Sequence, residues 1–504
     1  MAGTLPGYLY GLADRSGWLD RPVLTDERTG RDLTHRQVHA GSRVLARRLR
    51  DRGLGAGDRV GFCVGDGAGW FVAFLASARV GAVPFLVNPD VTPTMRQSVL
   101  EQCRATWLLD DEGDVLRLAA RPTGLEARWH LDDLLTGLSF PEDAAEGVLG
   151  DEVLYGQLSS GATGAQKVVL HRARDLVAYS RAVAALEITP DDRILSVSQL
   201  YFAYGFNNQF VYPMTYGCHV TLRRRRRTAD DVLAVVGPRR TTLLFSVPSA
   251  LGAFDGQAPE RHHVRGIVSA GEPLAATLQD RLERTWGTPV LEQIGCTEVG
   301  NAFCANGSAR SSRYSTGFVS PGYEVELRPS TVELSAPDGT PTGEVWVRGE
   351  SIPATAETAD GPVPLLRDGW LRTGDLGHWN ADGALVVLGR HDDILLVRGI
   401  SVSAVRIEAV IRRTGLVADA AVASVVDERG VSSLAALVVP ADGFSADDVL
   451  RLLAGRVADS LERFELPRQV VATDAIPRTP SGKLQRHRVR AAIDAGLNAP
   501  AVPV

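Results

Sequence analysis

Residues 264–294 read VRGIVSAGEPLAATLQDRLERTWGTPVLEQI. The apolar run VRGIVSA (264–270) predicts a buried strand, and TPVLEQI (288–294) predicts a second. Between them, PLAATLQDRLERTWG (273–287) spaces its apolar residues as an amphipathic helix does. Strand, helix, strand is the unit of a parallel sheet, because a strand returning in the same direction needs a crossover. The pattern extends outward. DRVGFCV (58–64), RATWLLD (104–110), DRILSVS (192–198) and TTLLFSV (241–247) predict further strands rich in Val, Ile and Leu, and HAGSRVLARRLRDRG (39–53) predicts another helix. An α/β class with largely parallel, buried sheets is expected for roughly the first 330 residues. From about 320 to 390 the pattern becomes EVELRPS, GEVWVRGE and GALVVLGR, separated by DG, TG and NADG turns, which predicts antiparallel strands. After Gly389-Arg390, a mixed pattern ending in a basic helical tail predicts a small α+β domain.

A chain of 504 residues exceeds one ordinary core, so at least two domains are expected. Its 44% hydrophobic and 23% charged residues are those of a soluble globular protein. The net charge of −6 gives no reason to expect nucleic acid or an anionic membrane as partner. Cys63, Cys103, Cys218, Cys296 and Cys304 form no CxxC pair, which argues against zinc and disulfides and suits a reducing cytoplasm. The start, MAGTLPGYLYGLADRSG, lacks a basic segment followed by an apolar one and does not read as a signal peptide. The most apolar window, GWFVAFLASARVGAVPFLV (69–87), is interrupted by Arg79 and Gly81 and reads as a buried helix followed by a strand, not a membrane span. The run Arg223–Arg227 reads as a solvated edge.

Chemistry-bearing turns stand out against this background. Residues 159–167, SSGATGAQK, combine Ser159, Ser160 and Thr163 hydroxyls with Gly161 and Gly164 and end in Lys167. The glycines let several N–H groups converge on one anion, and the lysine adds a point charge. Those are the needs of a polyphosphate, although the loop is not GxxxxGK[ST] and a bland surface turn has the same composition. QIGCTE (293–298) sets Thr297 beside Glu298, a hard carboxylate suited to Mg²⁺ on substrate phosphates. RTGDLG (372–377) offers Asp375 to a diol, GRHDD (389–393) follows, and PRTPSGK (477–483) carries a lysine on a Ser-Gly tip. Singly, TGD and SGK are ordinary turns and Glu298 is as readily a helix cap.

In this order and at these separations the motifs resemble the adenylate-forming superfamily of acyl-CoA synthetases, adenylation domains and luciferases, from about residue 20 to 493. YFAYGFNNQFVYPMTYG (201–217), SAGEPL (269–274), GCTEVGNAFCAN (295–306), STGFVSPGYEVELR (315–328) and DDILLVRGISVSAVRIEAVI (392–411) are similar to the benzoate–CoA ligase branch. The resemblance implies a large N-terminal domain (1–389) of packed α/β subdomains with a β-barrel-like subdomain, and a small mobile domain (390–504) hinged at Asp392. It implies two half-reactions: a carboxylate attacks the α-phosphorus of ATP, and a thiol, usually that of coenzyme A, then displaces AMP.

Carried over by position, loop 159–167 holds the β- and γ-phosphates, with Lys167 at its end. Thr297 touches the α-phosphate and Glu298 the Mg²⁺. Asp375 takes the ribose hydroxyls, with Arg390 nearby. Ser269, Ala270, Gly271, Glu272, Gln293 and Ile294 frame the adenine, continuing into Gly295 and Cys296. Lys483 bridges the attacking carboxylate and the α-phosphate. Adenylation domains bind an α-amine with an aspartate in the segment matching YFAYGF. None stands here, so Ala203, Tyr204, Gly205 and Phe206 imply an apolar slot for an aromatic ring, with core packing the other reading of Tyr204 and Phe206.

Four positions depart from the pattern. Ala162 replaces a hydroxyl residue, Gln166-Lys167-Val168 replaces Pro-Lys-Gly, Asn301 replaces a histidine beside the carboxylate, and Leu396 replaces a lysine. Asn301 is available to bond a ring substituent. The leading expectation is an aryl acid–CoA ligase. Alternatives are transfer to a carrier protein or amine, activation of nitrite for diazotisation of an aryl amine, and a non-catalytic nucleotide-binding scaffold, which retention of Lys167, Glu298, Asp375, Arg390 and Lys483 disfavours.

Overall fold

The computed structural model describes residues 4–120, 124–136, 149–160, 166–254, 256–330, 336, 339–397, 400–426, 432–458, 460–461, 463, 465–478 and 484–497. The strands read from 264–294 form at Gly266–Ser269 and Val290–Gly295, joined through the helix Ala276–Trp286. They pair in parallel, as the crossover requires. Leu243–Ser246, Arg193–Ser196, His219–Leu222 and Pro22–Asp26 continue the parallel run, and antiparallel strands close both edges of this nine-stranded sheet.

A second nine-stranded sheet holds Arg59–Cys63, Val83–Leu86 and Trp107–Glu112 in parallel register. It also contains the antiparallel hairpin Val153–Ser160 and Gln166–Arg172. The window 69–87 resolves as expected into a helix, Ala68–Val80, and a strand, Val83–Leu86. That helix is apolar on nearly every side and is buried accordingly, with Trp70, Phe71 and Phe74 almost inaccessible. Segments from 320 to 390 form the expected antiparallel sheet from Tyr323–Arg328, Gly343–Gly349, Trp370–Trp379 and Leu385–Arg390.

The smaller C-terminal part is built on Val417–Val426, Ser432–Pro440 and Gln469–Ala472. Side chains of the first two strands alternate between two cores. Val422, Leu434 and Ala436 meet the helices Ala404–Arg413 and Ala446–Val457, while Ala421, Ala435 and Leu437 meet Arg486–Leu497. Strands with apolar residues on both faces therefore have a use for each.

The arginine run corrects the sequence reading. Arg227 is buried and ion-paired with Glu27 (2.6 Å), Arg224 pairs with Asp111 and Arg223 with Asp231; only Arg225 and Arg226 are exposed. The cause is topological. His219–Leu222 lies inside the sheet, so the residues that leave it emerge beside Glu27 at the end of Pro22–Asp26, Asp111 of Trp107–Glu112 and Asp231 of the helix Ala229–Val236. Among the described residues, no helix is long and apolar enough to cross a membrane.

Candidate active site

The hairpin register sets Ser159 opposite Lys167 and Ser160 opposite Gln166, bracketing the glycine-rich loop. Gly161, Ala162, Thr163 and Gly164 lie outside the described residues. The buried Ser159 hydroxyl donates to Glu298 Oε1 at 2.9 Å, across 139 residues of sequence. The edge of the hydroxyl-rich loop and the carboxylate turn are thus in direct contact.

Glu298 stands on a turn that reverses the chain between Val290–Gly295 and Ala302–Ala305, closed by Gly300 N–H donating to Cys296 O (3.0 Å). Two glycines make the turn possible. A Cβ on Gly295 would lie 2.2 Å from the Asn301 carbonyl oxygen. Gly300 has φ +83°, and a Cβ there would lie 2.1 Å from the Tyr179 hydroxyl.

Asp375 and Arg390 face each other on adjacent antiparallel strands, with Arg390 Nη1 3.7 Å from Asp375 Oδ1. Arg390 Nη2 also donates to Thr373 O (3.2 Å), while Asp375 N–H donates to Thr373 Oγ1 (3.0 Å). Glu298, Asp375 and Arg390 all act electrostatically on Cys296, so the structure gathers these four sequence-predicted residues in one place. Desolvation first, and Glu298 second, push the Cys296 thiol well up. It stays a neutral thiol, not a nucleophile.

Beside this cluster lie the C-terminal ends of the parallel strands, where open α/β sheets bind ligands. Ser269 Oγ and Gln293 Oε1 are buried there without a hydrogen-bond partner. Gly271 takes φ +88°. Glu272 is exposed and accepts from Ser249 N–H (2.9 Å) and Oγ (3.0 Å). Two orphaned polar atoms at strand ends are what a nucleotide base with its own donors and acceptors could satisfy.

The YFAYGF segment divides between two roles. Ala203–Phe206 is a single helical turn continuing as a π-helical turn, Asn207–Val211. Tyr204 is partly exposed and its hydroxyl donates to Val268 O at 2.9 Å, which ties it to the strand leading into Ser269. Phe206 is fully buried against Tyr155, Phe74 and Phe210, with ring centroids 4.7, 5.4 and 5.4 Å away. Of the two sequence readings, its environment matches core packing. Phe206→Ala is expected to destabilise the fold by about 3–5 kcal/mol. Chemical denaturation checks this, and an unchanged midpoint with altered acid preference would restore Phe206 to the slot.

Asn301 also differs from expectation. Its amide is engaged by the protein: Nδ2 donates to Tyr179 O (2.7 Å) and to the Tyr212 hydroxyl (3.1 Å), which itself lies 3.2 Å from Oδ1. The expected free amide for a ring substituent is instead a buried brace between two helices.

Lys483 lies outside the described residues. So does the side chain of Asp392, whose backbone belongs to a short 3₁₀ turn following Leu385–Arg390. The structure adds residues that sequence reading missed. Asn207 and Gln209 are both buried, and amides this close together inside an otherwise apolar segment were the available signal. Asp66 was missed too. It accepts from Leu200 N–H (3.1 Å) and Gln209 Nε2 (3.1 Å), anchoring both ends of the YFAYGF segment.

Burial pushes the Asp66 carboxyl up to about 7, against the opposing hydrogen bonds from Leu200 and Gln209. A carboxyl held above its unfolded value keeps its proton longer in the folded state. Its stabilising effect is therefore full below the unfolded value of 3.8 and is lost as pH rises through about 7. Relative to Asp66→Asn, the wild type is expected to lose stability between about pH 4 and about pH 7. Urea midpoints of both proteins across that range check it; a constant gap would refute it.

Comparison with known proteins settles the class. The AMP-binding enzyme family matches residues 13–354, and the AMP-binding enzyme C-terminal domain matches residues 406–483. The chain belongs to the AMP-binding enzymes. This AMP-binding enzyme is an adenylate-forming ligase, and its α/β class with a large N-terminal and a smaller C-terminal part is as expected. It is 31% identical over 499 residues to the p-hydroxybenzoic acid–AMP ligase FadD22 of Mycobacterium tuberculosis (strain ATCC 25618 / H37Rv), covering 97% of this chain and 69% of that protein. It is 28% identical over 506 residues to the 3-hydroxybenzoate–CoA/4-hydroxybenzoate–CoA ligase of Thauera aromatica, covering 93% of each. Crystal structures of a benzoate CoA ligase from Burkholderia xenovorans LB400 superpose with TM-score 0.76 at 25% identity, over 97% of this AMP-binding enzyme and 100% of that chain. The anthranilate CoA ligase AuaEII, in complex with anthranoyl-AMP, shares the fold with TM-score 0.80 at 22% identity, over 98% and 97% of the two chains.

Proposed function

We propose that this AMP-binding enzyme activates an aromatic carboxylic acid, benzoate- or cinnamate-like, with ATP and passes the acyl group to coenzyme A. The Ser159–Glu298 contact carries the reading, because it joins the phosphate-type loop to the carboxylate turn (2.9 Å). The aryl assignment draws on the hydroxybenzoate relatives and on the partly exposed Tyr204. In the first half-reaction an acid oxygen attacks the α-phosphorus and pyrophosphate leaves. The loop with Lys167 bears the β- and γ-phosphates, Thr297 the α-phosphate, and Asp375 with Arg390 the ribose.

Mg²⁺ suits this set. Glu298 supplies one hard carboxylate beside the Thr297 hydroxyl, and a phosphate-borne Mg²⁺ needs few protein ligands. Bound there it neutralises phosphate charge. Residues 1–389 form the nucleotide-binding domain in this proposal, and 390–504 turn about Asp392 to bring Lys483 to the reacting oxygens and withdraw it afterwards.

One panel tests the proposal. The protein is incubated with ATP, Mg²⁺ and benzoate, hydroxybenzoates, aminobenzoates or cinnamates while pyrophosphate release is followed. Coenzyme A is then added, or nitrite with an aryl amine. Acid-dependent pyrophosphate followed by thioester is the expected result. Nucleotide binding with no acid-dependent turnover refutes the aryl acid, and AMP formation requiring nitrite and amine replaces it.

A further inference from the structure

The turn that carries Thr297 and Glu298 is gripped from three sides. Ser351 Oγ donates to Val299 O (3.0 Å) and is itself met by the Tyr323 hydroxyl (2.8 Å). Asn301 is braced by Tyr179 and Tyr212. Between these holds, Asn207 Nδ2 donates to Gly300 O at 2.6 Å. The same nitrogen donates to Ala203 O at 2.7 Å, the first residue of the helical turn carrying Tyr204. One amide therefore links the acid-slot segment to the turn bearing Glu298.

Both partners are carbonyls, so only the –NH₂ end of the amide can face them, and its orientation is unambiguous. The other end is left wanting. Asn207 Oδ1 is buried with no donor, and the residue has no exposed surface. An apolar side chain would fill the space without that orphan but could make neither of the two bonds. Asn207 sits on a π-helical turn, a distortion found frequently at functional sites.

We infer that Asn207 is a positioning residue: its amide sets the Thr297–Glu298 turn relative to the acid slot, and so sets where Glu298 meets Mg²⁺ on the nucleotide. The inference rests on the reading of Glu298 given above. A group that orients a metal-binding carboxylate from behind typically alters metal affinity or activity by about 10–100-fold when removed.

The test uses the full-length protein, its Asn207→Leu and Asn207→Ser variants, and two references, Asn208→Leu and Glu298→Gln. Asn208 is the neighbouring buried amide, and neither of its polar atoms has a partner, so its replacement takes no bond from the turn. Calorimetry without acid reads ATP affinity as a function of Mg²⁺, together with AMP affinity in the absence of metal. Asn207→Leu is expected to raise the Mg²⁺ requirement for ATP binding about 10–100-fold. Metal-free AMP affinity should fall by a smaller factor, because Thr297 moves with the turn but AMP carries no metal. Asn207→Ser, which keeps one short donor, should fall between, and Asn208→Leu should match the wild type.

An unshifted Mg²⁺ requirement in folded Asn207→Leu overturns the inference, and so does an equal shift in Asn208→Leu. If Asn207→Leu does not fold, Asn207→Ser decides on the same criterion. An unchanged requirement in Glu298→Gln would instead refute the metal role of Glu298, on which the inference stands.

Discussion

Lys483→Ala is expected to slow adenylate formation about 10²–10³-fold, the scale of losing one preorganised charge donor. The effect corresponds to about 2.7–4 kcal/mol of barrier. The physical reason is the crowding of negative charge when a carboxylate approaches a phosphate: the ammonium is worth most where the two oxygen sets converge. The second half-reaction needs no such charge, because a thiolate then attacks a neutral acyl carbon. Thioester formation from a supplied acyl adenylate should therefore stay close to the wild-type rate. Rapid-quench measurement of pyrophosphate release, beside thioester formation from synthetic adenylate, separates the two. Unaltered pyrophosphate release would remove Lys483 from the mechanism. Arg478 and Leu484 form an antiparallel bridge, and Arg478 is anchored to Asp419 (2.7 Å).

Gly295→Ala should be comparably severe by a different route. The added methyl would stand 2.2 Å from the Asn301 carbonyl oxygen and 2.7 Å from its carbon, and backbone cannot swing aside as a side chain can. The strand end or the returning strand must move, and either carries Thr297 and Glu298 with it. Misplacement by about 1 Å costs on the order of 10²-fold in rate. Pyrophosphate release at saturating ATP is expected to fall by that factor while the large core, built elsewhere, keeps the protein folded. A melt and a rate measured on the same sample check both halves. A wild-type rate would mean that the turn tolerates displacement and is not part of the reacting centre.

Much of the architecture was legible because it rests on short-range regularities. Strand–helix–strand periodicity from 264 to 294 specifies a parallel unit whatever surrounds it. The alternation of DG, TG and NADG turns with short apolar runs specifies an antiparallel region equally well. Ser159, Glu298, Asp375 and Arg390 could be singled out for the same reason, since turn chemistry is local and their order is distinctive. What failed were statements about surroundings. Arg223–Arg227 reads as a solvated block only while Glu27, Asp111 and Asp231 are unseen as partners; Glu27 and Asp111 come from distant parts of the chain, and Asp231 from the helix that follows the run. Phe206 and Tyr204 are equivalent by sequence. Which of two aromatic rings faces a core and which meets a strand edge is settled by helical phase and by the helix Ala68–Val80, whose Phe74 packs on Phe206.

The amino-acid order alone thus determined the class of fold and the family, since each depends on residues near one another along the chain. Tertiary structure decided that Ser159 meets Glu298, that Asn301 is a brace, and that Asn207 joins two walls of the site. Those contacts span 139, 122 and 93 residues. Hydrogen bonds between buried groups form only when packing has already removed water and fixed both partners, so no local pattern announces them.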